Sequence, residues 1–65
     1  MIYSNLKAEM IKRNISEENL ANSLKISRIS LENKMKGLQN FNLGEIEYLL
    51  KVFNDCSFEY LFQFK

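Results

Sequence analysis

Residues 16–37, SEENLANSLKISRISLENKMKG, hold two short helical patterns with only three residues between them. Leu20, Ala21 and Leu24 share one face of the first, and Leu31 and Met35 share one face of the second. A serine precedes each pattern. Ser16 and Ser27 are suited to capping a helix start, because a side-chain hydroxyl accepts from a backbone N–H that has no partner in the first turn. Glu17 and Glu18 come directly after Ser16, where the positive end of the helix dipole favours carboxylates. Gly37 suits the terminator position after the second pattern. So tight a connection as Lys25-Ile26-Ser27 forces the two helices to cross at a large angle, and predicts a helix-turn-helix.

The flanks extend this reading. Tyr3, Leu6 and Met10 lie at i, i+3 and i+7, which predicts a helix over about residues 4–13. Asn14 ends it, since asparagine tolerates the left-handed conformation. Residues 38–41 read as a loop. Asn42 with Glu45 three residues on is a relative of the capping box, opening a helix that buries Ile46, Leu49, Leu50 and Phe53. Ser57 caps a last short helix containing Phe58, Leu61 and Phe62. Proline is absent and glycine occurs only at positions 37 and 44, so nothing interrupts these patterns. The expected fold class is all-α, a compact bundle of about five short helices in one domain, residues 1–65.

Composition narrows the chemistry. A chain of 65 residues allows one domain with a thin core and no deep substrate cavity. Nine Lys and Arg against eight Asp and Glu leave a net charge of +1, which excludes a polybasic tail acting by charge alone. The absence of histidine removes catalytic triads and histidine-based zinc sites. Glu17/Glu18 and Glu45/Glu47 are too close along the chain to face each other across a helix surface. No catalytic residue, metal, cofactor or small-molecule ligand is therefore expected. The apolar runs are too short to span a membrane. The start, MIYSNLKAEM, lacks the layout of a signal peptide, and the single cysteine does not argue for an oxidising compartment, so the expected setting is cytoplasmic. Cys56 reads as a small apolar core filler.

The run Leu20-Ala21-Asn22-Ser23-Leu24-Lys25-Ile26-Ser27, then Leu31, then Gly37, resembles the helix-turn-helix of phage Cro and repressor proteins, the XRE family. Leu6, Met10 and Ile15 match that family's first-helix core. The segment Cys56-Ser57-Phe58-Glu59-Tyr60-Leu61-Phe62 is similar to its closing helix. The resemblance implies a lambda-repressor-like DNA-binding domain and a transcriptional regulator, most simply a repressor, that acts by occupying an operator as a dimer. The chain departs from the family pattern at two positions. Lys25 stands where the turn usually has glycine. Glu17 stands where Gln or Thr often touches phosphate, and a carboxylate there repels one.

The second helix of the motif is the one expected in the major groove of double-stranded DNA. With Leu31 placed at 0°, Met35 falls at about 40°, Lys36 at about 140°, Ile29 at about 160° and Asn33 at about 200°. The expected base-reading set is Arg28, Ile29, Ser30, Glu32 and Asn33. Arg28 suits a guanine, Asn33 an adenine and Ile29 a thymine methyl, while Glu32, four residues on, can hold the guanidinium of Arg28. Phosphate contacts are expected from Ser16, Lys25, Ser27, Lys36, Gln39, Asn40 and Asn42. Residues 12–36 carry six basic side chains against three acidic ones, whereas residues 37–65 carry two against four, so the surplus coincides with the motif. The last eight residues hold four aromatics, too many for one short helix to hide. Phe58, Tyr60 and Phe64 are the expected contacts of a twofold homodimer on a palindromic operator, or else fold back on the chain's own core. The competing function is a protein–protein interaction module that uses the same helices without DNA.

Overall fold

A computed structural model describes all of residues 1–65. The chain is entirely helical: α1 (Ser4–Lys12), α2 (Glu17–Leu24), α3 (Arg28–Met35), α4 (Leu43–Val52) and α5 (Phe58–Leu61). All four expected caps form. The side chains of Ser16, Ser27, Asn42 and Ser57 accept from the backbone N–H groups of Asn19, Ser30, Glu45 and Tyr60. Glu45 also accepts from the N–H of Asn42 at 2.9 Å, completing a capping box.

The first three helices end alike. A residue in the left-handed region closes each: Asn14 at φ 58°, Lys25 at φ 61° and Gly37 at φ 77°. The next residue then donates back five positions, Ile15 to Met10, Ile26 to Ala21 and Leu38 to Asn33. These are Schellman closures, which satisfy the last carbonyls and turn the chain sharply. Only Gly37 needs glycine for a second reason. A Cβ built there would lie 2.5 Å from Cζ of Phe64, whose ring sits directly on the glycine.

The core consists of Leu6, Met10, Leu20, Ala21, Leu31, Met35, Leu49, Phe53 and Leu61, with Ile15, Leu24, Ile26, Leu50 and Cys56 among those packed around it. Of the four residues expected inside from this region, only Leu49 and Phe53, which follows the last residue of α4, are buried, while Ile46 and Leu50 are half-exposed. A bundle this small has too few neighbours to cover a wider stripe.

One polar network has no signature in the sequence. The buried carboxylate of Glu9 accepts from the hydroxyl of Tyr60 at 3.0 Å and from Arg13 at 3.1 Å. Arg13 reaches on to Asp55 and lies over the ring of Phe53. This ties α1 to α5 through charge-assisted bonds. The Tyr60 hydroxyl, then Arg13 and Lys12, hold the Glu9 carboxyl below its ordinary range, and Arg13 does the same to Asp55. Glu9 in turn pushes the Tyr60 phenol up. Burial raises the Cys56 thiol, in keeping with a packing role.

These local geometries set two expected outcomes. Lys25→Gly relieves a left-handed side chain and raises stability by about 1 kcal/mol, or about 4–8 °C in Tm. Gly37→Ala lowers stability, and thermal unfolding monitored by circular dichroism checks both. The other outcome concerns pH. Carboxyls lowered by folding stabilise the fold above their unfolded pKa, and this is lost as pH falls through their folded values. A raised phenol stabilises it below about pH 10 and loses this above. The raised Cys56 thiol acts the same way from about pH 8.5, so stability is flat between about pH 5 and pH 8. Tyr60→Phe shallows the acid limb and removes the tyrosine part of the alkaline one, as urea midpoints across pH will show.

Candidate nucleic-acid interface

The side of α3 turned to solvent is set by the side turned inward. Leu31 and Met35 are buried in the shared core, and α2 packs behind α3. With that side anchored, Ile29 is 70% exposed. An aliphatic side chain so open at the centre of a helix face gains nothing from folding. Arg28 and Lys36 are exposed at the two ends of the same helix.

The other three expected base readers are half-buried. The hydroxyl of Ser30 accepts from that of Ser27 at 2.9 Å, so it belongs partly to the cap. The backbone carbonyl of Asn33 takes the N–H groups of Leu38 and Gln39, and the connection after α3 folds back beside it. Glu32 is turned towards Arg28, with its Oε1 3.8 Å from the guanidinium Nε.

Arg28 has a second carboxylate beside it. Glu17 Oε1 is 3.9 Å from the same Nε. The guanidinium thus lies between the first turn of α2 and the second turn of its own helix. Glu17, Glu32 and Lys36, with Ile2, Lys7 and Met35, line a cleft of about 220 Å³ at this edge of α3. On the other edge, Lys25 and Asn42 border a depression of about 420 Å³ between the α2–α3 turn and the start of α4. Ser16, Lys25, Ser27, Lys36, Gln39, Asn40 and Asn42 are all exposed. Three of them, Ser16, Ser27 and Asn42, already commit a side-chain oxygen to a helix cap, which leaves the donors of Ser16 and Asn42 for a phosphate, while Ser27 spends its proton on Ser30.

Composition overstates the free positive charge of the motif. Lys34 is not at the surface: its ammonium is 2.6 Å from Glu45, with the two side chains only 13% and 8% exposed. Lys12 and Arg13 belong to the Glu9 network beside α5. The cations of the motif that face solvent without a carboxylate partner reduce to Lys25 and Lys36, with Arg28 shared between two carboxylates.

The expected dimer residues diverge. Phe58, Tyr60 and Phe64 keep 45%, 40% and 39% exposure. Yet Tyr60 is hydrogen-bonded to Glu9, Phe58 leans on Phe62 with ring centres 5.2 Å apart, and Phe64 packs on Gly37 and Tyr3. Each is engaged within the chain, as in the fold-back alternative. Sequence reasoning missed Glu17 as the partner of Arg28. The only signal was its place in the first turn of the preceding helix, and no spacing rule connects that turn to α3.

No protein-family model, no curated protein and no solved structure matches this chain.

Removing one of the flanking carboxylates frees the guanidinium and deletes a repulsive charge. If α3 meets duplex DNA as the sequence leads one to expect, Glu17→Gln tightens that binding about three- to tenfold at low salt, equivalent to about 0.6–1.4 kcal/mol. Fluorescence anisotropy on a labelled duplex measures this, and unchanged or weaker binding contradicts the arrangement.

Proposed function

We propose that the chain is a sequence-specific DNA-binding regulator of the Cro and repressor type, with α3 lying in the major groove. One observation carries the reading: α3 is held by Leu31 and Met35 on one side and leaves Ile29 exposed on the other, with Arg28 exposed at its first turn and Asn33 half-buried. A groove-reading helix needs this division, because its base contacts must project while its back stays rigid. Around it, the starts of α2, α3 and α4 carry capped N-termini, whose N–H groups and dipoles favour phosphate oxygens. Lys25, in the turn between α2 and α3, and Lys36, at the end of α3, add exposed ammonium groups.

Repression by simple occupancy accords with this reading, since a bound domain excludes polymerase without chemistry. A single domain of this size covers few base pairs. Two copies on a palindrome, about 34 Å apart, give the contacts a unique operator needs. The surfaces left open by Phe58 and Tyr60 are where such copies would meet.

A second reading has its own support. The motif keeps few unpaired cations, and Leu38 and Leu43 are exposed near its edge along with Ile29. These features suit a protein partner better than a phosphate backbone.

Selection from a random duplex pool at two salt concentrations separates the two. The DNA reading expects retention that falls steeply with salt. Asn33→Ala is expected to change which sequences are retained, and Arg28→Ala to cost about 1–3 kcal/mol on the selected site. Absence of retention at low salt rules out the regulator in favour of the interaction module.

A further inference from the structure

The chain ends of this domain are fastened to the far end of α3. Ile2 and Lys65 exchange both backbone hydrogen bonds, at 2.9 and 3.0 Å, and the N–H of Tyr3 donates to the carbonyl of Met35 at 3.0 Å. The rings of Tyr3, Phe41, Phe62 and Phe64 form a continuous cluster, with centres between 4.9 and 5.8 Å apart. Asn5 adds bonds to the carbonyl of Tyr60 and the side chain of Gln63. Within this clasp, Phe64 lies on Gly37 at the left-handed residue that closes α3. Phe41, at the other end of the same connection, touches Tyr3 and Phe62. The connection between α3 and α4 is thus gripped at residues 37 and 41, while Lys36, Gln39 and Asn40 stay exposed.

We propose that Phe64 is a positioning residue for DNA binding: by seating its ring on Gly37, it holds the α3–α4 connection in the shape that delivers Lys36, Gln39 and Asn40 to the phosphate backbone. The inference rests on the DNA-binding reading. The physical reason is entropic. An exposed connection of this length has many conformations, and polar groups ordered before binding do not draw on binding free energy for their ordering. Schellman closure at Gly37 orders one end, and the ring covering it removes the alternative in which the glycine swings to another backbone region.

The test uses the full chain and the variants Phe64→Ala, Phe64→Leu, Phe64→Tyr and Ile11→Ala, on a duplex selected by the parent. Affinity is measured over a salt series, with solution mass and thermal unfolding recorded for each. Phe64→Ala is expected to bind more weakly and to lower the slope of log K against log salt by roughly one to two, which corresponds to one or two lost phosphate contacts. Phe64→Tyr restores the parent slope, because the ring is retained, and Ile11→Ala, at an exposed site on α1, leaves it unchanged. Where Phe64→Ala melts too low to be measured, Phe64→Leu carries the same expectation. A folded Phe64→Ala or Phe64→Leu variant with the parent slope overturns the positioning role while leaving the DNA reading intact. A slope change that accompanies a change in solution mass overturns it as well, because dimer loss then explains it. A parent chain that binds no duplex overturns the DNA reading itself, and with it this role.

Discussion

Burial of Leu31 and Met35 is the constraint on which the rest of this molecule depends. A helix turns 100° per residue, so fixing two side chains one turn apart in the core leaves no freedom in where the others point. The outward set on α3 is a geometric consequence of the inward pair. The pair is held in turn by α2, whose Leu20 and Ala21 are buried in the same cluster. The αL residue at Lys25 and the cap at Ser27 set the relation between the two helices. Non-glycine αL backbone costs on the order of 1 kcal/mol, and the molecule tolerates this where the turn must be tight.

Electrostatics in this domain serve connection more than display. Lys34 and Glu45 join α3 to α4 in a nearly dry pair, and Glu45 also closes the capping box of α4. Such a pair contributes less through Coulomb attraction than through the heavy cost of leaving either partner alone. Arg13 and Glu9 play the same part between α1 and the C-terminal segment, with Tyr60 satisfying the second carboxylate oxygen. Five short helices with a nine-residue core need these cross-ties, because apolar burial alone is small at this size. The consequence for function is that surface potential differs from what residue counts suggest. An arginine poised between two carboxylates offers a directed donor set rather than net positive charge.

The aromatic tail is used in the same connecting way. Rings that a four-residue helix could not hide are distributed over Tyr3, Phe41 and Gly37, so the tail covers the end of α3 and stiffens the connection to α4. Edge-on and tilted ring pairs add stabilisation beyond area burial. The partial exposure left on Phe58 and Tyr60 is compatible with a second copy meeting there, while their inner contacts already have a role inside one chain.

Much of the fold was legible in the chain. Helix starts are local events: a serine or asparagine oxygen reaches an N–H three residues on, so Ser16, Ser27, Asn42 and Ser57 announced themselves by position. Apolar spacing then placed Leu6, Met10, Leu20, Leu31 and Leu49 inside, because periodicity and burial are linked within one helix. The outward direction of Ile29 came from the same arithmetic. Tertiary structure alone decided the long-range side-chain pairings. Glu9 with Tyr60, Arg13 with Asp55, Lys34 with Glu45, Arg28 with Glu17, and Phe64 on Gly37 join residues from 11 to 51 positions apart. No periodic rule spans such separations, since they depend on how whole helices dock. A side chain's local preference is written in its neighbours along the chain, but its charge partner is chosen by whichever distant surface the packing brings near.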